Sequence, residues 1–274
     1  MPVRVSFVCQ QGRLESQAVL LAASLRLNFP PDTTLIAAHP HRHGPLAPAT
    51  LAALGAMHVE IAPIENPLAA DYPIGNKLAA LALLQGEDLG LFLDSDILAI
   101  RAPDAFPAAL AAVPASVQHC DLRIWKHLYD AFGLTMPPDP PAMLLSEEKT
   151  APYYNTGFIA MQGPLAAHFS QVWIDCARRI DADPNVPLDA RRPYLDQLAF
   201  PIAAALCGQP VEALDEKWNY RGWGWDLPED ADAILFHYQE AVRIARQPHS
   251  AAAARAARHL SKEIEVALKS LPEF

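Results

Sequence analysis

Two aspartates one residue apart interrupt an apolar run in the first half of the chain. Asp94-Ser95-Asp96 separates the apolar residues 91–93 from the apolar residues 97–100. A short continuous apolar run is typical of a strand buried on both faces, as in a largely parallel sheet. Because a buried carboxylate needs a partner, we expect the pair at the carboxyl end of such a strand, where its oxygens would bind Mg²⁺ or Mn²⁺. The alternative is that Asp94 and Asp96 are turn or helix-cap residues, since such triplets are common by chance.

The composition indicates a sizeable core and an acidic surface. Of the 274 residues, 51% are apolar and 19% are charged, and the net charge is −10. A chain of this length forms one large α/β domain or one and a half smaller ones. The negative charge argues against a general affinity for nucleic acid or anionic membranes, although it is compatible with a local basic pocket for a phosphate.

The cysteines and the apolar runs bear on the cellular compartment. Cys9, Cys120, Cys176 and Cys207 are scattered without a C-x-x-C spacing, which predicts reduced thiols rather than a zinc site or a disulfide framework. The N-terminus runs directly into a strand-like pattern without the regions of a signal peptide, and no apolar run has the length of a membrane span. We therefore expect a cytoplasmic protein. Peripheral membrane association and homo-oligomers stay open.

Strand-like and helical segments alternate in the first hundred residues. Short connections between them predict a parallel sheet with right-handed crossovers. No G-x-G-x-x-G follows the first strand and no G-x-x-x-x-G-K-[ST] occurs, which argues against a dinucleotide-binding domain and a P-loop NTPase. The predicted strands are 3–9, 33–38, 58–61 and the run 89–100, and the predicted helices are 14–27, 46–54 and 78–84.

The second half of the sequence is less regular. The proline-rich segments 135–150 and 183–193 are predicted to be loops, and a long loop inside a compact domain is often a lid or a binding loop. Trp218, Trp223 and Trp225 are either sugar-stacking residues or core anchors. The predicted helices are 103–112, 121–132, 165–180, 195–206 and 250–271, the last a candidate for packing or self-association. The predicted strands are 115–120, 211–214 and 233–238, and residues 153–161 are predicted to be a polar turn that opens onto another strand.

Six short motifs follow one another along residues 3–238. They are G-N-K-L at 75–78, F-L-D-S-D-I-L at 92–98, Y-N-T-G-F-I at 154–159, Y-L-D-Q at 194–197, K-W-N-Y at 217–220 and F-H-Y at 236–238. This order resembles that of GT-A-fold glycosyltransferases, and most closely the family 8 group of glycogenin and the lipopolysaccharide galactosyltransferases. The resemblance implies a single α/β domain over residues 1–274, with a mostly parallel central sheet flanked by helices and the D-x-D at the end of a central strand.

The same resemblance implies a division of labour along the chain and a metal centre. Residues 1–100 would form the nucleotide-binding half, 101–247 the donor and acceptor half, and 248–274 a C-terminal helix. In that family a Mn²⁺ or Mg²⁺ ion, bound by the D-x-D and a late histidine, holds the diphosphate of a nucleotide sugar. The matching residues here are Asp94, Asp96 and His237.

The resemblance also implies catalytic and donor-binding residues. Asp196 and Gln197 match the segment beside the reacting anomeric carbon, with the alternative that Asp196 caps the helix 195–206. For Gly157, the alternative is a role in an unusual backbone angle or a close approach. The implied donor-binding residues are Asn76, Lys77, Ser95, Asn155, Gly157, Lys217 and Asn219.

These matches imply a metal-dependent glycosyltransferase. It would transfer a hexose, with retention of anomeric configuration, from a nucleotide diphosphate sugar to a saccharide or lipid-linked acceptor, and a UDP-sugar is the favoured donor. The chain departs from the family after His237, where an H-F-x-G-x-x-K pattern is absent and Arg243 is the candidate substitute for the lysine. The alternatives are a non-catalytic nucleotide- or sugar-binding protein on the same fold and, less favoured, a haloacid-dehalogenase-type phosphatase with Asp94 as nucleophile.

Overall fold

The computed structural model describes residues 2–69, 71–86, 88–221 and 232–238. These residues form an α/β domain of two sheets and surrounding helices. The strands are β1 (Val3–Val8), β2 (Thr34–Pro40), β3 (Val59–Ile64), β4 (Leu89–Leu93), β5 (Ile97–Ala99), β6 (Ala111–Pro114), β7 (Tyr154–Gln162), β8 (Glu212–Ala213) and β9 (Leu235–His237). The helices are α1 (Arg13–Asn28), α2 (Pro48–Ala56), α3 (Gly75–Ala82), α4 (Leu122–Ala131), α5 (Gly163–Asp181) and α6 (Leu195–Leu206), with 3-10 turns at His41–His43, Asp189–Tyr194 and Glu216–Trp218.

The main sheet has seven strands in the order β3-β2-β1-β4-β7-β6-β8. Four of its six neighbouring pairs are parallel, and β7 alone runs antiparallel to both of its neighbours. One face of the sheet packs on α1 and α2, and the other packs on α3 to α6. The predicted mostly parallel sheet flanked by helices is therefore confirmed.

Strand β4 lies in the middle of the sheet and is buried along its whole length. Its side chains alternate between the two cores, with Leu91 and Leu93 on the α1 side and Phe92 on the α5 side. This confirms a strand buried on both faces. The D-x-D follows as a turn, and the chain then enters β5, which pairs with β9 in a separate two-stranded sheet.

The segment after β5 contradicts two sequence predictions. A helix was expected at 103–112 and a strand at 115–120, but the strand is β6 and the flanking segments are irregular. The alanines of this stretch favour a helix by propensity. Ala111 and Ala112 are fully buried and pair with β7, so the packing of the sheet overrides the local preference.

The remaining elements agree with the sequence predictions to within a few residues at most ends. Helix α4 begins after Asp121, whose carboxylate accepts hydrogen bonds from the backbone N–H groups of Arg123 and Ile124. Residues 135–150 are irregular as expected, whereas a 3-10 turn occupies the end of the predicted loop 183–193. The predicted helix 250–271, Arg243, Trp223 and Trp225 lie outside the described residues. Among the described helices, none has both the length and the apolar character needed to cross a membrane.

Candidate active site

A cavity of about 490 Å³ lies at the carboxyl ends of β1 and β4. This edge of an open α/β sheet is the usual place for a ligand. Eight of the twelve residues that the sequence proposes for the site line the cavity, although they come from five separate segments of the chain. They are Lys77, Asp94, Ser95, Asp96, Asn155, Asp196, Gln197 and His237.

Two carboxylates and an imidazole converge in this cavity. One potential ligand atom from each of Asp94, Asp96 and His237 lies within 4.8 Å of the other two. The pairing of β5 with β9 sets His237 opposite Ile97, so that its Nε2 lies 3.2 Å from Asp96 Oδ1. Hard oxygen donors with one imidazole fit Mn²⁺ and also suit Mg²⁺, so the residues present match the ion that the sequence implies.

A chain of hydrogen bonds through two asparagines fixes the orientation of the His237 ring. Asn219 Nδ2 donates to Asn155 Oδ1 at 2.9 Å, which turns Asn219 Oδ1 toward His237 Nδ1, also at 2.9 Å. Nδ1–H therefore donates to Asn219, and Nε2 is the nitrogen that can bind a metal ion. Asn219 itself is buried and does not line the cavity, so its contact in this structure is with the histidine.

Gly157 is needed for the close approach of His237. A β-carbon on Gly157 would lie 2.8 Å from His237 Cε1 and 2.9 Å from Asn155 Oδ1, closer than real contacts allow. Its φ does not fall in the left-handed region, so an unusual backbone angle is not the reason for glycine. The carbonyl of Gly157 also accepts a hydrogen bond from the Asp94 N–H at 2.8 Å, which joins β7 to the D-x-D turn.

Lys77 connects the carboxylates of the cavity. Its Nζ lies 3.0 Å from Asp94 Oδ1 and 3.1 Å from Asp196 Oδ2, and its side chain is 11% exposed. Burial alone would lower the pKa of Lys77, but Asp196 and Asp94 outweigh that effect and raise the pKa, so the amine stays charged. Lys77 therefore places a local positive charge in the cavity of an acidic protein.

The pKa values of the two aspartates of the D-x-D are shifted in opposite directions. Burial raises the pKa of Asp94, and the charge of Lys77 only partly opposes this effect. Burial would also raise the pKa of Asp96, but the neighbouring His237, Lys77 and a backbone hydrogen bond together outweigh burial and lower the pKa. The oxygen that faces the imidazole therefore belongs to the more acidic of the two carboxyl groups.

Asp196 is almost fully buried, and both its carboxylate and its backbone carbonyl accept hydrogen bonds. The Tyr72 hydroxyl donates to its Oδ1 at 3.1 Å, and the Thr156 hydroxyl donates to its Oδ2. Trp173 Nε1 donates to its backbone carbonyl at 2.9 Å. The N-cap of α6 is Tyr194, so the reading of Asp196 as the helix cap is wrong. Its neighbour Gln197 reaches the cavity from the same turn.

The other donor-binding residues implied by the sequence lie at different distances from the cavity. Ser95 lines it, although its hydroxyl donates to the Val8 carbonyl at the end of β1. Asn76 is buried and does not line the cavity, and its side-chain amide donates to Gln10 Oε1 at 3.0 Å. Lys217 does not line the cavity within the described part of the chain, so its contact with the donor stays a prediction. Trp218 packs on Phe158 in the core.

Sequence reasoning missed a group of residues that also line the cavity. Tyr194 belongs to the Y-L-D-Q motif and was not singled out; its ring stacks on His119 at a centroid distance of 4.0 Å. Arg221 donates to Ser116 at 3.1 Å. Burial and the charge of Arg221 lower the pKa of His119, which favours a neutral imidazole. Other lining residues that were not singled out from the sequence include Arg13, Leu14, Gln17, Ser116, His119 and Arg221.

The sequence matches the profile of the Rhodobacterales glycosyltransferase domain over residues 5–208, about three quarters of the chain. The chain belongs to this glycosyltransferase family. The match covers every predicted site residue except Lys217, Asn219 and His237. It sets aside the phosphatase alternative. No curated protein sequence matches the chain.

Solved glycosyltransferases share the fold. The apo form of GlyE from Streptococcus pneumoniae is 14% identical, with a TM-score of 0.55 over 98% of this chain, and this chain spans 62% of the GlyE chain. The galactosyltransferase LgtC, solved with donor and acceptor sugar analogues, is 15% identical with a TM-score of 0.53, over 96% of this chain and 95% of its own. An active-site mutant of LgtC gives a TM-score of 0.56 at 14% identity, over 93% of this chain and 95% of its own. The glycosyltransferase therefore has a GT-A fold resembling family 8.

Proposed function

We propose that this glycosyltransferase moves a hexose from a nucleotide diphosphate sugar to a saccharide or lipid-linked acceptor, with a bound Mn²⁺ or Mg²⁺ ion. The observation that carries the proposal is the convergence of Asp94, Asp96 and His237 in one cavity with Gln197. A UDP-sugar is the favoured donor, by resemblance to family 8. LgtC, a galactosyltransferase of the same fold, binds analogues of a donor and an acceptor sugar together.

The metal ligands and Lys77 account for the departure of the diphosphate. When bound, a divalent ion neutralises the negative charge that develops on the leaving diphosphate as the glycosidic bond breaks. Lys77 keeps a positive charge beside Asp94, in a part of the cavity that otherwise carries three carboxylates. The hydrogen bond that His237 Nδ1–H donates to Asn219 Oδ1 keeps the ring turned toward the same point.

Gln197 is the residue that acts on the reacting sugar in this proposal. Both oxygens of Asp196 already accept hydrogen bonds or an ion pair from Tyr72, Thr156 and Lys77, so that carboxylate is held inside the wall. Gln197 follows it on the first turn of α6, lines the cavity and is partly exposed. Its amide carbonyl can stabilise an oxocarbenium-like centre, and Asp196 keeps the turn in place. We infer retention of anomeric configuration from the family resemblance.

A turnover assay on a panel of sugar nucleotides tests this function. UDP-, GDP- and ADP-hexoses are incubated with the full chain, with Mn²⁺ or with a chelator, and the released nucleotide diphosphate is measured. We expect release from one donor class only with the metal, loss of release in Asp96→Asn, and no change in Asp104→Asn, whose side chain is 97% exposed. NMR of the product in the presence of an acceptor sugar reports the anomeric configuration.

Four results would count against the proposal. Turnover that survives the chelator, or that is equal in Asp96→Asn and the native chain, would remove the metal from the mechanism. Inversion at the anomeric carbon would reject the retaining reaction. Metal-dependent binding of a nucleotide diphosphate without release or transfer from any donor would instead indicate a binding protein that has lost turnover.

A further inference from the structure

One end of the cavity lies beyond β6 and away from the D-x-D. Strand β6 runs in the same direction as β4, because β7 is antiparallel to both, so Ser116 and His119 follow the carboxyl end of β6 at the same edge of the sheet. Neighbouring strands lie about 4.8 Å apart, which places these residues roughly 10 Å from the D-x-D turn. Tyr194 and Arg221 line the cavity with them, and we call the four residues the β6 end of the cavity.

Arg221 brings a positive charge to the β6 end. The residue is half-buried, and its Nη1 donates to Ser116 Oγ at 3.1 Å. Its charge acts on the neighbouring His119, whose pKa is lowered by burial and by Arg221. A guanidinium carries five N–H donors in a planar fork that matches a carboxylate or a phosphate. Because a half-buried guanidinium has lost part of its hydration, an anionic ligand group would be bound in preference to a neutral one.

Two stacked rings form the rest of the β6 end. The rings of His119 and Tyr194 are 4.0 Å apart between centroids and 13° from parallel, and Tyr153 meets His119 edge to face at 5.9 Å. His119 and Tyr194 are half-buried, so part of the pair stays accessible. Tyr194 is the N-cap residue of α6 and therefore lies next to the turn that carries Gln197. The pair offers apolar ring surface, on which the C–H groups of a sugar can pack, beside the residue proposed to act on the donor sugar.

We propose that the β6 end is the acceptor subsite and that it selects a saccharide carrying an anionic group, either a carboxylate or a phosphate. Arg221 binds the anion, and the acceptor ring packs on His119 and Tyr194. This inference rests on the proposed function, because a diphosphate at the D-x-D and a hexose at Gln197 leave the β6 end for the acceptor. A neutral acceptor would need only uncharged polar side chains at this end, whereas an anionic acceptor accounts for a half-buried guanidinium.

A calorimetric comparison of neutral and anionic sugars tests this preference. The native chain is saturated with Mn²⁺ and with whichever of UDP, GDP and ADP it binds, and is then titrated with the methyl glycosides of glucose, galactose and mannose. Each sugar is supplied in its neutral form, as the uronic acid and as the 6-phosphate. We expect at least one anionic form to bind about tenfold or more tightly than its neutral parent, as a charge-assisted pair of hydrogen bonds would give. The uronic acids and the phosphates distinguish the two kinds of anion.

Arg221→Gln separates the charge from the rest of the subsite. Glutamine keeps an amide donor but removes the positive charge, so the anionic sugar should bind no better than its neutral parent. The affinities for the neutral sugar and for the nucleotide with Mn²⁺ should change less than about twofold. Arg123→Gln is the matched control: this arginine lies on α4, its side chain is 92% exposed, and the loss of its charge should leave the preference unchanged.

The outcomes separate this inference from the function on which it rests. If the nucleotide binds with Mn²⁺ but no anionic sugar binds better than its neutral parent, or if Arg221→Gln keeps the preference, the inference is wrong and the proposed function stands. Equal losses of nucleotide and anionic-sugar affinity in Arg221→Gln would also overturn it, because Arg221 would then belong to the donor site. If the native chain binds none of UDP, GDP and ADP with Mn²⁺, the proposed function fails, and the acceptor subsite fails with it.

Discussion

The hydroxyl of Tyr72 makes two hydrogen bonds to Asp196, although 124 positions separate the two residues in the chain. It donates to the carboxylate at 3.1 Å and accepts from the backbone N–H at 3.2 Å. The N-cap of α6 offers no side-chain acceptor, and Pro201 inside the helix has no N–H for the carbonyl of Gln197. The first turn of α6, which carries Gln197, therefore depends on anchors outside the helix.

Tyr72→Phe should separate turnover from binding. The ring keeps its packing, but α6 loses one anchor, and a small displacement of a positioned group can lower turnover by about 10- to 100-fold. We expect kcat to fall in that range while the affinity for UDP with Mn²⁺ changes less than about twofold. The lost hydrogen bonds to a buried carboxylate should also lower stability, by roughly 1–3 kcal/mol.

Tyr153→Phe is the control for that experiment. Tyr153 is as deeply buried, but its hydroxyl has no hydrogen-bond partner within the described residues, so its removal should leave kcat unchanged. A Tyr72→Phe variant with native turnover, or with equal losses in kcat and nucleotide affinity, would show that Tyr72 does not position the catalytic turn.

Gly157→Ala should damage the proposed metal site without unfolding the protein. The new methyl group would collide with the His237 ring at 2.8 Å, and the ring can move only by leaving its bond to Asn219. Displacement of a ligand's supporting contacts typically costs about 10- to 100-fold in metal affinity. We expect that loss in a Mn²⁺ titration of nucleotide binding. Gly55→Ala, with open space around the position, should bind as the native chain does; a native Mn²⁺ affinity in Gly157→Ala would exclude His237 as a ligand.

Gln197→Ala tests the proposed role of Gln197 beside the reacting sugar. If its amide stabilises the developing charge, turnover should fall roughly 100-fold, while the affinity for the donor changes little. Gln171→Ala, on the exposed face of α5, removes an amide of the same size and should have no effect. Steady-state kinetics measures the turnover and calorimetry measures the affinity for the donor. An equal loss in both would show that Gln197 only binds the donor.

The sequence predicted the parts of the fold that local patterns determine. The apolar run before Asp94 identifies a fully buried strand. The grouping of Asp94, Asp96 and His237, more than 140 positions apart, was implied only by the resemblance to family 8, and the structure places the three side chains together. It failed at 103–112, where alanine-rich sequence favours a helix but pairing with β7 forms a strand. The difference is that strand pairing depends on a partner far along the chain.

The sequence also did not predict the contacts that support the site residues. Nothing local marks Tyr72, Thr156 and Trp173 as partners of Asp196, because these contacts arise only when β7, α5 and the segment before α3 pack around α6. The sequence likewise gives no sign that Gln17, within the apolar periodicity of α1, lines the cavity. Side chains that satisfy buried polar groups are selected by tertiary packing, and a motif read in one dimension does not contain them.

The most direct test of the metal-dependent nucleotide site is a thermal-shift panel. UDP, GDP, ADP and CMP are each added to the native chain and to Asp96→Asn, with and without Mn²⁺. A ligand present at 100 times its Kd stabilises the native state by about 2.7 kcal/mol, which is readily visible as a rise in melting temperature. We predict a rise with UDP that requires Mn²⁺ and is absent in Asp96→Asn. An equal rise without metal, an equal rise in the variant, or no rise with any nucleotide would contradict the account.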